Sequence, residues 1–104
     1  MEKDLEAWTG REVRRRGGLW LKWVSPGCSG VPDRILIAPG GKIAFVEMKQ
    51  KGGKVSQRQR YVLSLLTRLG CQAYVVFTKE EVCGMLQEVM GGEIHPTRVS
   101  EDGY

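Results

Sequence analysis

The 104-residue sequence has few cysteines and histidines, the residues on which disulfide-rich proteins and many metal-binding proteins depend. Its three cysteines are an odd number with wide spacing and form no C-x-x-C pair, so the sequence indicates neither a disulfide framework nor a zinc knuckle. We therefore expect free thiols in a reducing cytoplasm. The single histidine, His95, stands near the C-terminus. We expect it to be neither a metal ligand nor a general base.

Long apolar runs and internal repeats are also absent. No apolar segment approaches the roughly 20 residues that span a bilayer, and no apolar stretch follows the charged N-terminus as in a signal peptide. We therefore expect a cytoplasmic protein without a membrane partner. The length predicts a single domain, which we place at residues 1–90, followed by a polar tail at 91–104.

The chain carries a moderate excess of positive charge. A formal net charge of +4 at pH 7 favours a polyanionic partner, although an excess of this size does not by itself establish nucleic-acid binding. The apolar fraction of 41% is ordinary for a globular domain and argues against wholesale disorder.

Hydrophobic patterning predicts the order helix, three strands, helix, strand, helix. Gly10 weakens the first helix, since glycine costs about 1 kcal/mol there relative to alanine. Strands at 34–38 and 43–49 flank a Pro-Gly-Gly turn and should form an antiparallel hairpin. Capping-box patterns begin the last two helices, and the apolar run at 73–77 predicts a strand buried on both faces. The order predicts an α/β fold with a mixed sheet of about four strands flanked by helices.

Three charged residues converge at the open end of the predicted hairpin. Asp33 precedes its first strand, and Glu47 and Lys49 close its second strand. Because successive strand side chains alternate between faces, Glu47 and Lys49 point the same way, roughly 6–7 Å apart. Ile43 and Phe45 share that side, and we expect them to pack under a helix. The apolar run before Glu47 predicts a buried central strand, where a carboxylate needs a specific reason.

Two carboxylates beside a lysine suit the hydrolysis of a phosphodiester. Asp33 and Glu47 offer hard oxygen ligands for Mg²⁺ or Mn²⁺, and the backbone carbonyl of Met48 between the site side chains is a natural additional ligand. A bound cation lowers the pKa of a coordinated water and neutralises charge in the transition state. Lys49 can orient or help deprotonate that water, or stabilise the developing negative charge.

Each of these residues also has a purely structural explanation. Asp33 is a routine turn residue after a proline, and Glu47 with Lys49 can form a solvent-facing charge pair on an edge strand. The capping box that begins at Ser56 explains Gln59 without any role in the site. The combination of both carboxylates with the lysine favours the catalytic interpretation.

The ordered motifs resemble the VRR-NUC family, the virus-type replication-repair nuclease domain of the PD-(D/E)xK nuclease superfamily. The family pattern has a helical Glu near the N-terminus, a Gly-x-Pro-Asp, a Glu-x-Lys that ends a strand, and a Ser-x-x-Gln that begins the next helix. This chain reads Glu6, Gly30-Val31-Pro32-Asp33, Glu47-Met48-Lys49 and Ser56-Gln57-Arg58-Gln59. The resemblance covers roughly residues 2 to 89.

The resemblance implies a restriction-endonuclease-like fold and a DNA endonuclease that uses Mg²⁺ or Mn²⁺ and no small-molecule cofactor. It makes Asp33 and Glu47 metal ligands and Lys49 the catalytic lysine. Glu6 would support the metal through water, and Gln59 would line the site. Small members of the family look like homodimers that act on branched DNA, such as Holliday junctions, in bacteria or phage-infected cells.

Basic residues near these motifs are candidates for contacting DNA phosphates. Three end the first helix, where they can also serve only the helix macrodipole, and four follow the Glu-x-Lys motif. In chain order they are Arg14, Arg15, Arg16, Lys51, Lys54, Arg58 and Arg60.

Several alternatives stay open at this point. Glu2 or Glu12 can replace Glu6 if the register of the first helix differs. Trp8, Trp20 and Trp23 are expected in the core or a dimer interface, with base stacking as the alternative. The chain can also be a DNA-binding or assembly module that keeps the fold without catalysis, or a nuclease that cuts RNA.

Overall fold

A computed structural model of the chain describes residues 2–91, with side chains from residue 4 onward. The elements are α1 (Glu2–Arg15), β1 (Leu19–Lys22), β2 (Arg34–Ile37), β3 (Ile43–Met48), α2 (Gln57–Arg68), β4 (Gln72–Val76) and α3 (Lys79–Met90). The predicted order of elements is therefore correct. His95 and the predicted tail, apart from its first residue, lie outside the described residues. No helix within residues 2–91 is both long and apolar enough to cross a bilayer.

The four strands form one mixed sheet in the order β1-β2-β3-β4. The first three strands are antiparallel neighbours, and β4 joins β3 in parallel after the α2 crossover. The predicted α/β fold with a mixed sheet and flanking helices is thus confirmed, and β3 is the central strand that its apolar run indicates. The predicted burial of β4 on both faces is wrong. This strand forms an edge of the sheet, and Val76 is its one buried residue.

The main hydrophobic core lies on one face of the sheet, which we call the core face. There α1 contributes Val13 and α3 contributes five side chains, from Val82 to Met90. The strands contribute alternate residues, which are Trp20, Leu36, Ala44, Val46, Met48 and Val76. Strand pairing aligns these residues across the sheet, so their side chains share one side.

The other side of the sheet, which we call the open face, is covered less completely. The alternate residues of β1, β2 and β3 point there, while α2 packs mainly against β4. Leu19 and Leu21 are each 38% exposed and Ile43 is 47% exposed. The expectation that Ile43 packs under a helix is therefore wrong. Phe45 instead contacts Trp23, with ring centroids 5.1 Å apart.

Gly10 allows α1 to lie close to the sheet. A Cβ atom at this position would come within 2.9 Å of Cδ1 of Trp20, nearer than real side chains approach. The glycine that weakens the helix in isolation therefore makes room for a buried tryptophan. The helix forms despite its poor propensity, because packing of its apolar side supplies most of its stability.

We predict that Gly10→Ala destabilises the protein by about 1–3 kcal/mol, because overpacking against Trp20 outweighs the gain in helix propensity. The matched control is Gly84→Ala in the middle of α3, where a new Cβ meets no atom within 4 Å. The control should stabilise the protein by up to about 1 kcal/mol. Urea denaturation of both variants measures the difference, and equal stabilisation of both would contradict the close contact at Gly10.

Candidate active site

Asp33 and Glu47 meet one step beyond the ladder that joins β2 to β3. The last pair of that ladder is Arg34 with Val46, so continuation of the antiparallel register sets Asp33 opposite Glu47. Both then point to the open face. Oδ2 of Asp33 accepts a 3.1 Å hydrogen bond from the backbone N–H of Met48, which holds its carboxylate against β3. The convergence expected from the hairpin is present.

Glu47 carries a carboxylate that is almost completely buried, with 2% of the residue exposed. Its Oε2 accepts a 2.9 Å hydrogen bond from Nε2 of Gln59 and lies 3.2 Å from Nζ of Lys49. Its Oε1 is buried without a hydrogen-bond partner within residues 2–91. Desolvation raises the pKa of Glu47, the charge of Asp33 raises it further, and Lys49 opposes both effects.

This donor set fits a divalent cation. Carboxylate oxygens are preferred ligands of Mg²⁺ and Mn²⁺, and Oε1 of Glu47 is a buried acceptor that lacks a donor. A cation beside it would satisfy that atom and offset the repulsion from Asp33. Within residues 2–91, however, no three Asp, Glu, His or Cys side chains group closely enough to hold a metal together.

Gln59 combines the two roles that the sequence left as alternatives. Its Oε1 accepts a 2.9 Å hydrogen bond from the backbone N–H of Ser56, and the Ser56 hydroxyl accepts one from the backbone N–H of Gln59. The capping box of α2 is thus complete. The amide nitrogen of the same side chain donates to Glu47. A glutamate would cap the helix equally well but has no N–H to donate, so the site favours an amide here.

The Gly-x-Pro-Asp motif is a loop that packs against the start of α2. Gly30 has a φ of +84°, and a Cβ there would lie 2.9 Å from the backbone oxygen of Arg58. Pro32 is fully buried. Arg58 also donates a 3.2 Å hydrogen bond to the carbonyl of Ser29. The loop that ends in Asp33 and the helical turn that carries Gln59 are therefore held together around Glu47.

Glu6 lies apart from the two carboxylates. Its Oε2 pairs with Nε of Arg34 at 2.9 Å, and Arg34 points to the core face whereas its neighbour Asp33 points to the open face. The alternative Glu12 pairs with Arg15 and Arg16, and the side chain of Glu2 is outside the described part. The sequence motifs did not indicate Arg34 as the partner of Glu6. Its position directly after Asp33 could have indicated this, because strand alternation places Arg34 on the face opposite to Asp33.

The predicted DNA-contacting residues differ in how they are held. Arg15 and Arg16 lie 2.9 and 3.6 Å from Glu12, and Arg58 is held by the Ser29 loop. The others occupy exposed positions in α1, in the loop after β3 and in α2. These are Arg14, Lys51, Lys54 and Arg60, of which Arg60 also donates a 3.3 Å hydrogen bond to the carbonyl of Val55.

Comparison with known proteins identifies the family. The family model of the VRR-NUC domain matches residues 9–79. The chain belongs to the VRR-NUC family. A similar protein from Acyrthosiphon pisum secondary endosymbiont phage 1, named "Putative nuclease p44", is 42% identical over 79 residues, which are 76% of this chain and 85% of that protein. A solved structure of a VRR-NUC domain has a TM-score of 0.77 at 28% identity and covers 83% of this chain and 94% of its own.

The predicted resemblance to VRR-NUC proteins is thus confirmed, and the match supports a nuclease. The matched range contains the Gly-x-Pro-Asp motif, the Glu-x-Lys motif and Gln59, but it begins after Glu6. The roles of the individual site residues remain predictions.

We predict that Glu47→Gln stabilises the metal-free VRR-NUC protein at pH 7. A raised pKa in the folded state means that Glu47 contributes stability at low pH, which is lost as the pH rises through the raised value. The amide has no charge to desolvate, so its advantage should appear near neutrality and vanish below about pH 4. A gain of roughly 4 °C at pH 7 would correspond to about 1 kcal/mol.

Thermal unfolding in EDTA between pH 4 and pH 8 measures this effect. The control is Glu80→Gln, an exposed carboxylate in the first turn of α3. Its removal should slightly lower stability at neutral pH, because it loses a favourable interaction with the helix dipole. A lower unfolding temperature for Glu47→Gln at pH 7 would contradict the prediction that the Glu47 charge destabilises the metal-free fold.

Proposed function

We propose that this VRR-NUC protein is a divalent-metal-dependent DNA endonuclease that hydrolyses phosphodiester bonds. The observation that carries the proposal is the buried carboxylate of Glu47, which has one unpartnered oxygen and lies beside Asp33 and Lys49. Burying a charge is costly, and a second carboxylate nearby makes it more so. Binding of a cation relieves both costs, and membership of a nuclease family supports the same chemistry.

Asp33, Glu47 and the backbone carbonyl of Met48 would hold Mg²⁺ or Mn²⁺. Gln59 and Lys49 both engage Oε2 of Glu47, which leaves Oε1 as its available ligand atom. The N–H and C=O of one strand residue point to the same edge, so the Met48 carbonyl faces the side on which its N–H meets Asp33. When bound, such an ion supplies charge neutralisation at the phosphate and acidifies a coordinated water.

Lys49 is proposed as the catalytic lysine. Its side chain shares the open face with Glu47, and its Nζ lies 3.2 Å from Oε2 of that residue. An ammonium group there can orient the attacking water or stabilise negative charge that develops on the phosphate. The backbone N–H of Lys49 donates to the carbonyl of Val76 at 3.0 Å, so the end of β3 that carries the site is tied to β4.

The contribution of Glu6 through a metal-bound water remains a prediction. Its ion pair with Arg34 engages one carboxylate oxygen. We propose that Glu6 also positions the site indirectly, because Arg34 directly follows Asp33 and a fixed Arg34 side chain restrains the start of β2.

We further propose that two copies associate through the open face. The side chains that β1, β2 and the start of β3 present there include no charged group, and they are Leu19, Leu21, Ile35, Ile37, Ile43 and Phe45. Duplex DNA presents phosphates and polar base edges to its surroundings, which do not complement such a surface. A second apolar sheet face does, since two sheets can pack face to face.

A homodimer suits a branched DNA substrate. The apolar rows of the open face lead directly to Asp33 and Glu47, so a two-fold assembly there brings two sites into one particle. Two sites can cut two strands of a Holliday junction or a related branched DNA. The phage relative supports action in the cytoplasm of a bacterium or a phage-infected cell, and we assign the nuclease domain to residues 1–90.

The competing proposal is a DNA-binding or assembly module without catalysis. The presence of all three residues, Asp33, Glu47 and Lys49, favours the enzyme. A module without catalysis would gain nothing from a buried carboxylate whose charged form is disfavoured by desolvation and by a second carboxylate. RNA as substrate is tested in the same experiment.

We expect Lys49→Ala and Glu47→Ala to lower the cleavage rate roughly 100-fold or more, because each removes a group that stabilises the transition state. The assay uses labelled duplex, single-stranded, flap and four-way-junction DNA and a matched RNA, with Mg²⁺, Mn²⁺ or EDTA. The control is Lys42→Ala, in the turn at the far end of the hairpin, which should keep the parent rate. If both site variants cut as fast as the parent, the assigned site is wrong. Binding without cleavage in either metal would favour the competing module.

We expect Leu21→Glu to convert the dimer to a monomer, because it places a charge in the middle of the open face. The control is Leu69→Glu at the end of α2, which is more exposed, at 81% against 38% for Leu21, and lies outside the open face. Light scattering coupled to gel filtration gives the mass of each variant. A monomeric parent, or a dimeric Leu21→Glu variant, would rule out the interface.

A further inference from the structure

A groove with a volume of about 500 Å³ opens between α1, the loop after β3 and the start of α3. We call it the basic groove. It shares no residue with the candidate active site, and its lining combines cationic with aromatic and apolar side chains. The lining residues that bear on its chemistry are Asp4, Trp8, Arg11, Lys51, Phe77 and Lys79.

Positive charge dominates this lining. Arg11, Lys51 and Lys79 face a single acidic residue, Asp4, and within the described residues none of the three cations forms an ion pair. Nζ of Lys79 lies 4.9 Å from the ring centre of Trp8, a cation–π geometry that keeps the ammonium group at the groove. Arg11 also lies near enough to Glu12 to help lower the pKa of that carboxyl. Three cations against one lining carboxylate still suit an anionic ligand.

The cationic side chains are the main attraction for an anion, because several amides at the start of α3 already have partners. The backbone N–H groups of Phe77 and Thr78 both donate to Oε1 of Glu81, at 2.6 and 3.2 Å. Thr78 accepts from the backbone N–H of Glu81 in return, which completes a capping box. The amides of Phe77, Thr78 and Glu81 are thus already engaged, and Arg11, Lys51 and Lys79 are the cationic groups that the groove offers to an anion.

The groove adjoins the end of the sheet that carries the candidate active site. β3 and β4 are parallel, so their carboxyl ends lie side by side. Lys51 stands two residues after Lys49, within about 7 Å along an extended backbone, and Phe77 directly follows Val76, which pairs with Met48. A DNA strand held at Asp33 and Glu47 therefore reaches the groove within a short distance.

We propose that the basic groove binds one unpaired nucleotide of the DNA substrate next to the phosphate that is cut, an inference that rests on the proposed nuclease function. Arg11 and Lys51 take its phosphate together with Lys79, whose ammonium group moves from the face of the Trp8 ring to the phosphate, and the base takes its place against Trp8 and Phe77. A volume of about 500 Å³ is that of a small-ligand pocket and cannot admit a stacked duplex. Any base can stack on an aromatic ring, so the groove selects unpaired nucleotides, such as those exposed where DNA branches, without selecting a sequence.

The test measures binding in a Lys49→Ala background, so that it is independent of cleavage. The probes are a fluorescein-labelled duplex and the same duplex with a central bulge of two unpaired nucleotides, with Mg²⁺ present, read by fluorescence anisotropy. The bulged duplex should bind roughly fivefold or more tightly than the perfect duplex, as expected for one base on an aromatic platform. Trp8→Leu should reduce that preference to less than twofold and leave perfect-duplex binding unchanged, whereas Trp8→Phe should retain it.

A second pair of variants keeps the test independent of the folding of the Trp8 variants. Lys79→Met should weaken binding of the bulged duplex at least threefold, while the matched Lys42→Met at the other end of the sheet should leave it unchanged. The inference is overturned if the parent shows no preference for the bulge, if Trp8→Leu keeps the full preference, or if both lysine variants behave alike. Failure of the proposed catalysis has a different signature, since a protein that never cuts DNA can still show this preference.

Discussion

The structure of the site depends on one energetically costly feature, the burial of the Glu47 carboxylate at the end of the central strand β3. Glu47 is 2% exposed, and it is stabilised by an ammonium group and an amide that both engage the same oxygen. Each partner comes from a different part of the chain. Lys49 directly follows β3 and Gln59 belongs to α2, while Asp33 is joined to the site by its hydrogen bond from the backbone N–H of Met48. The motif residues are therefore parts of one electrostatic arrangement around a single buried charge.

The unequal covering of the sheet explains where that arrangement sits. One face is sealed by α1 and α3 over a continuous apolar core. Within residues 2–91 the other face is covered by α2, which packs mainly against β4 and brings Gln59 to the end of β3. The carboxylates stand at the boundary between the covered and the uncovered parts of this face. This position buries Glu47 enough for desolvation to raise its pKa.

Several features of the fold were predictable from short-range sequence patterns, because packing against distant elements did not change them. Strand alternation set Glu47 and Lys49 on one side, the short turn brought Asp33 to the same end, and capping pairs marked the starts of α2 and α3. Other expectations failed where a distant element decided the outcome. Ile43 is exposed because α2 packs mainly against β4, and β4 is only partly buried because it forms an edge of the sheet within residues 2–91. Gly10 weakens a helix in isolation, yet in the fold it admits Trp20.

The sequence by itself determined the order of the elements, the hairpin and the meeting of Asp33, Glu47 and Lys49, because these depend on residue periods, turn chemistry and short separations along the chain. The tertiary structure alone decided that Gln59 both caps α2 and contacts Glu47, and that Glu6 turns to Arg34. It also decided that Trp8, Lys51 and Lys79 share a groove. These contacts join residues that are far apart in the chain, and only the packing angle of each helix on the sheet sets which of their side chains meet.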